Sequence, residues 1–246
     1  SHKCPRVRLR AWPPRDENGA DKVPRAQPRP GALATEAFET SRNKVAAWLN
    51  AEQASQMVFT HGATSALNLL AYGLAHRFEA GEEIAISALE HHANLLPWQQ
   101  LAQRRNLRLV VLPEDASGHI DLEQALQLIG PRTRVLAVSQ LSNVLGTWQP
   151  LPALLAHARA QGAITVVDGA QGVVPGQPAV QPLGRDFYVF SSHTLYGPDG
   201  PGVLHRRSPP PPLLRHWRFR GRVVPVAALP HPPFPPAPLG PESAPP

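Results

Sequence analysis

Short runs of β-branched and aromatic residues alternate with longer helical patterns through the middle of this chain, and that alternation limits the folds open to it. Strand-like runs occur at Met57-Val58-Phe59, Glu83-Ile84-Ala85-Ile86, Leu107 to Leu112, Arg134 to Val138, Ile164-Thr165-Val166-Val167, Phe187-Tyr188-Val189-Phe190 and Gly202-Val203-Leu204. Helical patterns fall at Leu33 to Leu49, Thr64 to His76, Asn94 to Arg105, Asp121 to Ile129 and Pro152 to Ala160. Several of the strand-like runs are continuously apolar, as expected for strands covered on both faces. The expected fold is therefore α/β, three-layered, around a mainly parallel sheet. Local signals agree. Asn50 is a helix stop, Asp121 an N-cap, and Pro97 lies in the first turns of its helix, where proline is tolerated.

Composition divides the 246 residues into three parts. The 30 prolines are far above the usual ~5% and concentrate at the two ends. Residues 1–31 read as a flexible arm, 32–207 as one globular domain, and 208–246 as a Pro-rich, disordered tail, since runs such as Pro209 to Pro212 suit neither helix nor central strand. No apolar run approaches the ~20 residues of a membrane-spanning helix, and the N-terminal stretch lacks a secretory core. The single cysteine, Cys4, cannot form an internal disulfide and reads as an incidental thiol on the arm. A cytoplasmic protein with no membrane partner is expected. The net charge of +6 rests largely on the arginine-containing ends, so nucleic-acid binding is not expected as the main function. A basic Arg/Pro-rich interaction protein remains an alternative reading.

Ligands of open parallel sheets bind beyond the carboxyl ends of the strands. Four segments put polar groups there. Thr60-His61-Gly62-Ala63-Thr64-Ser65 is a glycine-containing turn before a helix, suited to a phosphate or to an ordinary N-cap. Glu90-His91-His92-Ala93-Asn94 carries adjacent histidines whose side chains diverge, with no cluster to complete a metal site. A ring stacking on a flat ligand, an acid–base group and a structural pair are its three readings. Asp168 ends an apolar strand, where its carboxylate would either meet a cationic ring nitrogen or cap the next helix. Ser191-Ser192-His193-Thr194 supplies hydroxyls and an imidazole after another strand, suited to a phosphate or a ring substituent.

Taken with Ser142-Asn143-Val144-Leu145-Gly146, Val167-Asp168-Gly169-Ala170-Gln171, Asp186 to Phe190 and His193-Thr194-Leu195-Tyr196-Gly197-Pro198, these segments resemble, in order, the group II cysteine desulfurases. That family lies in the class V aminotransferase superfamily and has the fold type I pyridoxal-phosphate architecture. The resemblance spans roughly residues 33–207 and implies the large domain of that fold. It implies pyridoxal 5'-phosphate as cofactor, L-cysteine as substrate, L-alanine and a persulfide as products, and a homodimer and a sulfur-acceptor protein as partners. His91 would stack on the ring as a catalytic residue, and Asp168 would bind the ring nitrogen. Asn143 and Gln171 would hold the ring hydroxyl and nearby polar atoms, while Thr64, Ser191 and His193 would hold the phosphate.

Three departures qualify that expectation. Thr194 stands where the family has its Schiff-base lysine, and a hydroxyl cannot form an imine with an aldehyde cofactor. Ala63 replaces a threonine of the phosphate turn, at a cost of about 1 kcal/mol for one hydrogen bond. The family's smaller C-terminal domain, with its persulfide-forming cysteine and carboxylate-binding arginine, is expected to be missing. The expectation is a truncated, impaired or inactive copy that binds the cofactor non-covalently, or serves as a non-catalytic remnant or scaffold.

Overall fold

The computed structural model describes residues 29–173 and 183–207. A seven-stranded sheet forms the centre. Its strands are β1 (Met57–Thr60), β2 (Glu83–Ser87), β3 (Arg108–Leu112), β4 (Thr133–Ser139), β5 (Ile164–Asp168), β6 (Phe187–Ser191) and β7 (Gly202–Arg206). The helices are α1 (Arg29–Trp48), α2 (Gly62–Leu74), α3 (His92–Arg105), α4 (Leu122–Leu128) and α5 (Leu151–Ala160). The strand order is β1-β7-β6-β5-β4-β2-β3. Only β7 opposes the rest, pairing antiparallel with both β1 and β6. The carboxyl ends of the other six strands therefore share one rim.

Alternation along the strands sorts side chains into two cores. Tyr188 and Phe190 join Val138, Val167, Leu112 and Phe59 against α1, α4 and α5. Phe187 and Val189 join Ile84, Ile86, Ala137 and Val166 against α2 and α3, where Trp98 is fully buried. This is the three-layer arrangement expected of the large domain of fold type I pyridoxal-phosphate transferases. No helix among the described residues is long and apolar enough to cross a membrane.

Element ends differ from the sequence expectation in instructive ways. Helix α1 begins at Arg29, ahead of Leu33, and takes Pro30 into its first turn, where no intrahelical N–H is needed. It stops where Asn50 turns left-handed, at φ 52°. Asp121 caps α4 as expected, accepting the Gln124 N–H at 3.0 Å. Strand β3 departs from the doubly covered reading. It is the sheet's edge, and Val111 is 53% exposed despite its continuous apolar run. The rest of the expected arm, the tail beyond Arg207, Cys4 and the C-terminal arginine cluster lie outside the described residues.

Strand β7 meets the start of α2 so closely that a Cβ on Gly202 would collide with the backbone of Gly62, itself at φ +75°. Gly202→Ala should lower stability by about 3 kcal/mol, the upper end of overpacking costs. The measurement is the urea midpoint at unchanged slope.

Candidate active site at the carboxyl rim

The rim gathers the expected residues because five of the segments that leave the sheet on that side, those after β1, β2, β4, β5 and β6, carry them. After β1, the N-terminal turn of α2 carries Thr64, which is exposed. The Ala63 N–H donates to Ser191 Oγ at 2.8 Å, joining that turn to the end of β6. These two phosphate candidates are thus on neighbouring elements, with one helix-terminal N–H already engaged by the serine.

After β2, His91 is the N-cap of α3. Its Nδ1 accepts the Ala93 N–H at 3.1 Å, which leaves the proton of the neutral ring on Nε2. The His92 ring does not diverge as expected but meets that of His91 edge-on, with centroids 6.0 Å apart and planes at 70°. No cluster of three or more metal-ligating side chains occurs among the described residues. Asn143 is exposed in the turn after β4, Gln171 in the turn after β5, and His193 in the 3-10 turn Ser192–Leu195. Thr194 is half-buried in that turn, and its hydroxyl donates to the Ser191 carbonyl at 2.6 Å. The hydroxyl is therefore spent on its own backbone.

Asp168 is the one buried carboxylate among these candidates, at 6% exposure. Its Oδ1 accepts the Ala170 N–H at 3.0 Å. Burial pushes its pKa up to about 6, and that hydrogen bond opposes the shift only partly. Among the described residues no cation pairs with it. Of its two readings, the capping one is seen directly: Asp168 caps the turn that follows β5.

The floor beneath Asp168 rests on residues to which the sequence alone assigned no role. Ser139 pairs with Asp168 in the β4–β5 register. Ser139 donates through N and Oγ to Glu90, at 2.8 and 2.5 Å. Next to it, Gln140 Oε1 accepts the Tyr188 hydroxyl at 2.6 Å. Burial pushes the Tyr188 phenol well above its ordinary range. A Cβ on Gly169 would strike the Tyr188 ring, and one on Gly172 would strike Gln140. The small residues around Asp168 therefore make room for this pair. A polar pair following an apolar strand was the available signal for Ser139 and Gln140. By contrast, Asp186 lies at the opposite end of the sheet. It accepts from Thr165 N and Oγ1 at 2.9 and 3.0 Å, and so ties the starts of β5 and β6.

The lysines of the sequence are Lys3, Lys22 and Lys44, all before β1. Lys44 is exposed on α1. No lysine therefore stands on the rim among the described residues.

A family model for class-V aminotransferases matches residues 3–240. A probable cysteine desulfurase of Pseudomonas putida is 76% identical over 223 residues, which are 91% of this chain and 56% of the relative. The crystal structure of the cysteine desulfurase CsdA from Escherichia coli superposes with a TM-score of 0.83 at 37% identity, covering 92% of this chain and 57% of that one. A structure of SspA in complex with cysteine gives a TM-score of 0.73 at 28% identity, covering 83% and 58%. The chain spans about half the length of the relatives it matches.

The raised pKa of Asp168 fixes the sign of a pH effect. The folded state holds this proton more tightly than the unfolded chain, so ionisation of Asp168 erodes stability as pH rises from its ordinary value of 3.8 to about 6. Asp168→Asn removes that penalty. Its stability relative to the parent should grow by about 2 kcal/mol between pH 4 and pH 7. Denaturant unfolding across that range measures it, and a pH-independent difference would mean that Asp168 is solvated.

Proposed function

The chain belongs to the class-V aminotransferase family, and from that premise we propose that residues 32–207 form a large domain with a cysteine-desulfurase-type pyridoxal-phosphate site that holds its cofactor without a covalent link. The observation that carries this reading is Asp168, a desolvated acid at a strand end with no cation beside it among the described residues. A pyridinium nitrogen supplies the missing charge and would draw the acid's pKa back down. The helix N-terminus at Gly62 to Thr64, beside the Ser191 hydroxyl, suits the phosphate. The residues fit the ring and the phosphate at these points, but they offer no amine for the aldehyde.

When bound, the cofactor supplies an electron sink for the carbon beside a substrate's amino nitrogen. His91 would lie against one face of the ring, where its Nε2–H could take part in proton transfer. Asp168 would hold the ring nitrogen as its carboxylate. Asn143 and Gln171 would hold the ring hydroxyl and nearby polar atoms, and Thr64, Ser191 and His193 would hold the phosphate. Thr194 occupies the position of the family's lysine, and its hydroxyl, turned to the Ser191 carbonyl, neither links to the cofactor nor carries protons at neutral pH. The family reaction takes L-cysteine to L-alanine and a persulfide. The fold match to SspA with cysteine supports that substrate class. In this copy we assign cofactor binding with impaired or absent turnover, in a cytoplasmic protein. A second copy and a sulfur-acceptor protein are the proposed partners.

Titration with pyridoxal phosphate should give a saturable change in the cofactor's absorbance. Borohydride followed by mass measurement should add nothing to residues 45–246, whereas Thr194→Lys should yield an adduct that maps to residue 194. Asp168→Ala should weaken cofactor binding about tenfold or more, the worth of a lost charge-assisted contact. A folded parent that causes no saturable change, together with a folded Thr194→Lys protein that forms no adduct, would sink the assignment.

A further inference from the structure

We propose that Glu90 is the positioning residue of the rim: its carboxylate fixes the separation between the His91 ring and the Asp168 carboxylate by clamping the start of α3 to the ends of β2 and β4. Glu90 Oε1 accepts the Ser87 hydroxyl at 2.5 Å and the Ser139 N–H at 2.8 Å. Its Oε2 accepts the Ser139 hydroxyl at 2.5 Å and Asn94 Nδ2 at 2.7 Å. Four hydrogen bonds from three segments converge on one side chain and occupy both of its carboxyl oxygens. Burial raises the pKa of Glu90 above the ordinary carboxylate value, and these bonds oppose that shift. A network of this kind stiffens with each member.

The connectivity gives the clamp its purpose. Glu90 is covalently next to His91, the N-cap of α3. Ser139, which Glu90 binds twice, is the register partner of Asp168. The path from imidazole to acid therefore runs His91, Glu90, Ser139, Asp168, through one peptide link, two hydrogen bonds and one strand pairing. Asn94 extends the clamp inward, its Oδ1 accepting Trp98 Nε1 at 3.0 Å within the helix. A flat ring gripped on its face by His91 and at its nitrogen by Asp168 needs that separation held to a fraction of an ångström. This role rests on the cofactor reading above.

Glu90→Gln is the informative change, because an amide NH2 would face donors where an oxygen now accepts. Ser139→Ala is the milder one, removing the hydroxyl while keeping the N–H bond. Three readouts are taken on each folded variant. They are the 15N shifts of the His91 ring without cofactor, the affinity for pyridoxal phosphate by absorbance, and the melting temperature. For Glu90→Gln, the His91 Nδ1 resonance should leave the position of an unprotonated acceptor, and affinity should fall tenfold or more. Ser139→Ala should move both in the same direction by less. A Glu90→Gln protein that melts earlier but keeps the parent's His91 nitrogen shifts and cofactor affinity would overturn the proposal, leaving Glu90 a structural residue only. If the parent binds no pyridoxal phosphate, the functional reading fails, and the His91 shifts alone decide the role of Glu90. If Glu90→Gln does not fold, unchanged His91 shifts and affinity in Ser139→Ala overturn it.

Discussion

The register between β4 and β5 sets Ser139 opposite Asp168, and the rest of the rim is built outward from that pairing. One residue of slip in either strand would turn that strand's side chains to the other face of the sheet. A slip of β4 would part Ser139 from Glu90, and a slip of β5 would send Asp168 into the core around Tyr188 and Phe190. The register is held by burial on both faces, since Val138 and Val167 fill one core while Ala137 and Val166 fill the other. The chemistry at the strand ends is thus inherited from apolar packing several residues earlier.

Much of the frame was legible from residue order. Continuous β-branched runs between helical patterns gave the parallel sheet, and Asn50 and Asp121 marked helix ends for reasons of backbone geometry and capping. The edge position of β3 was not legible. Leu109-Val110-Val111 is as apolar as a central strand, and only the strand order shows that it has a single neighbour. The reversal of β7 was equally hidden, because a short apolar run carries no direction.

The candidate site was legible in its motifs and less so in its supports. Thr64, His91, Asn143, Asp168, Gln171, Ser191 and His193 all lie on elements or turns at the rim, as a parallel sheet with these loops requires. Ser139, Gln140 and Tyr188 gave little local signal, since their partners are far along the chain. Tyr188 reads as one more aromatic strand residue until its hydroxyl is seen on Gln140, 48 residues away. Glu90 sits inside the strongest motif, yet its neighbours His91 and His92 draw attention first. Side chains that hold a site together meet through folding, and order along the chain does not record it.

The confinement of Lys3, Lys22 and Lys44 to the stretch before β1 also leaves the rest of the sequence without a side-chain primary amine. Beyond Lys44, no side chain can react with succinimidyl esters, formaldehyde-type crosslinkers or sugar aldehydes as a primary amine would. A dye or surface tether attached through such chemistry would attach to α1 or to sequence before it. The strand ends would keep their native chemistry in the labelled protein.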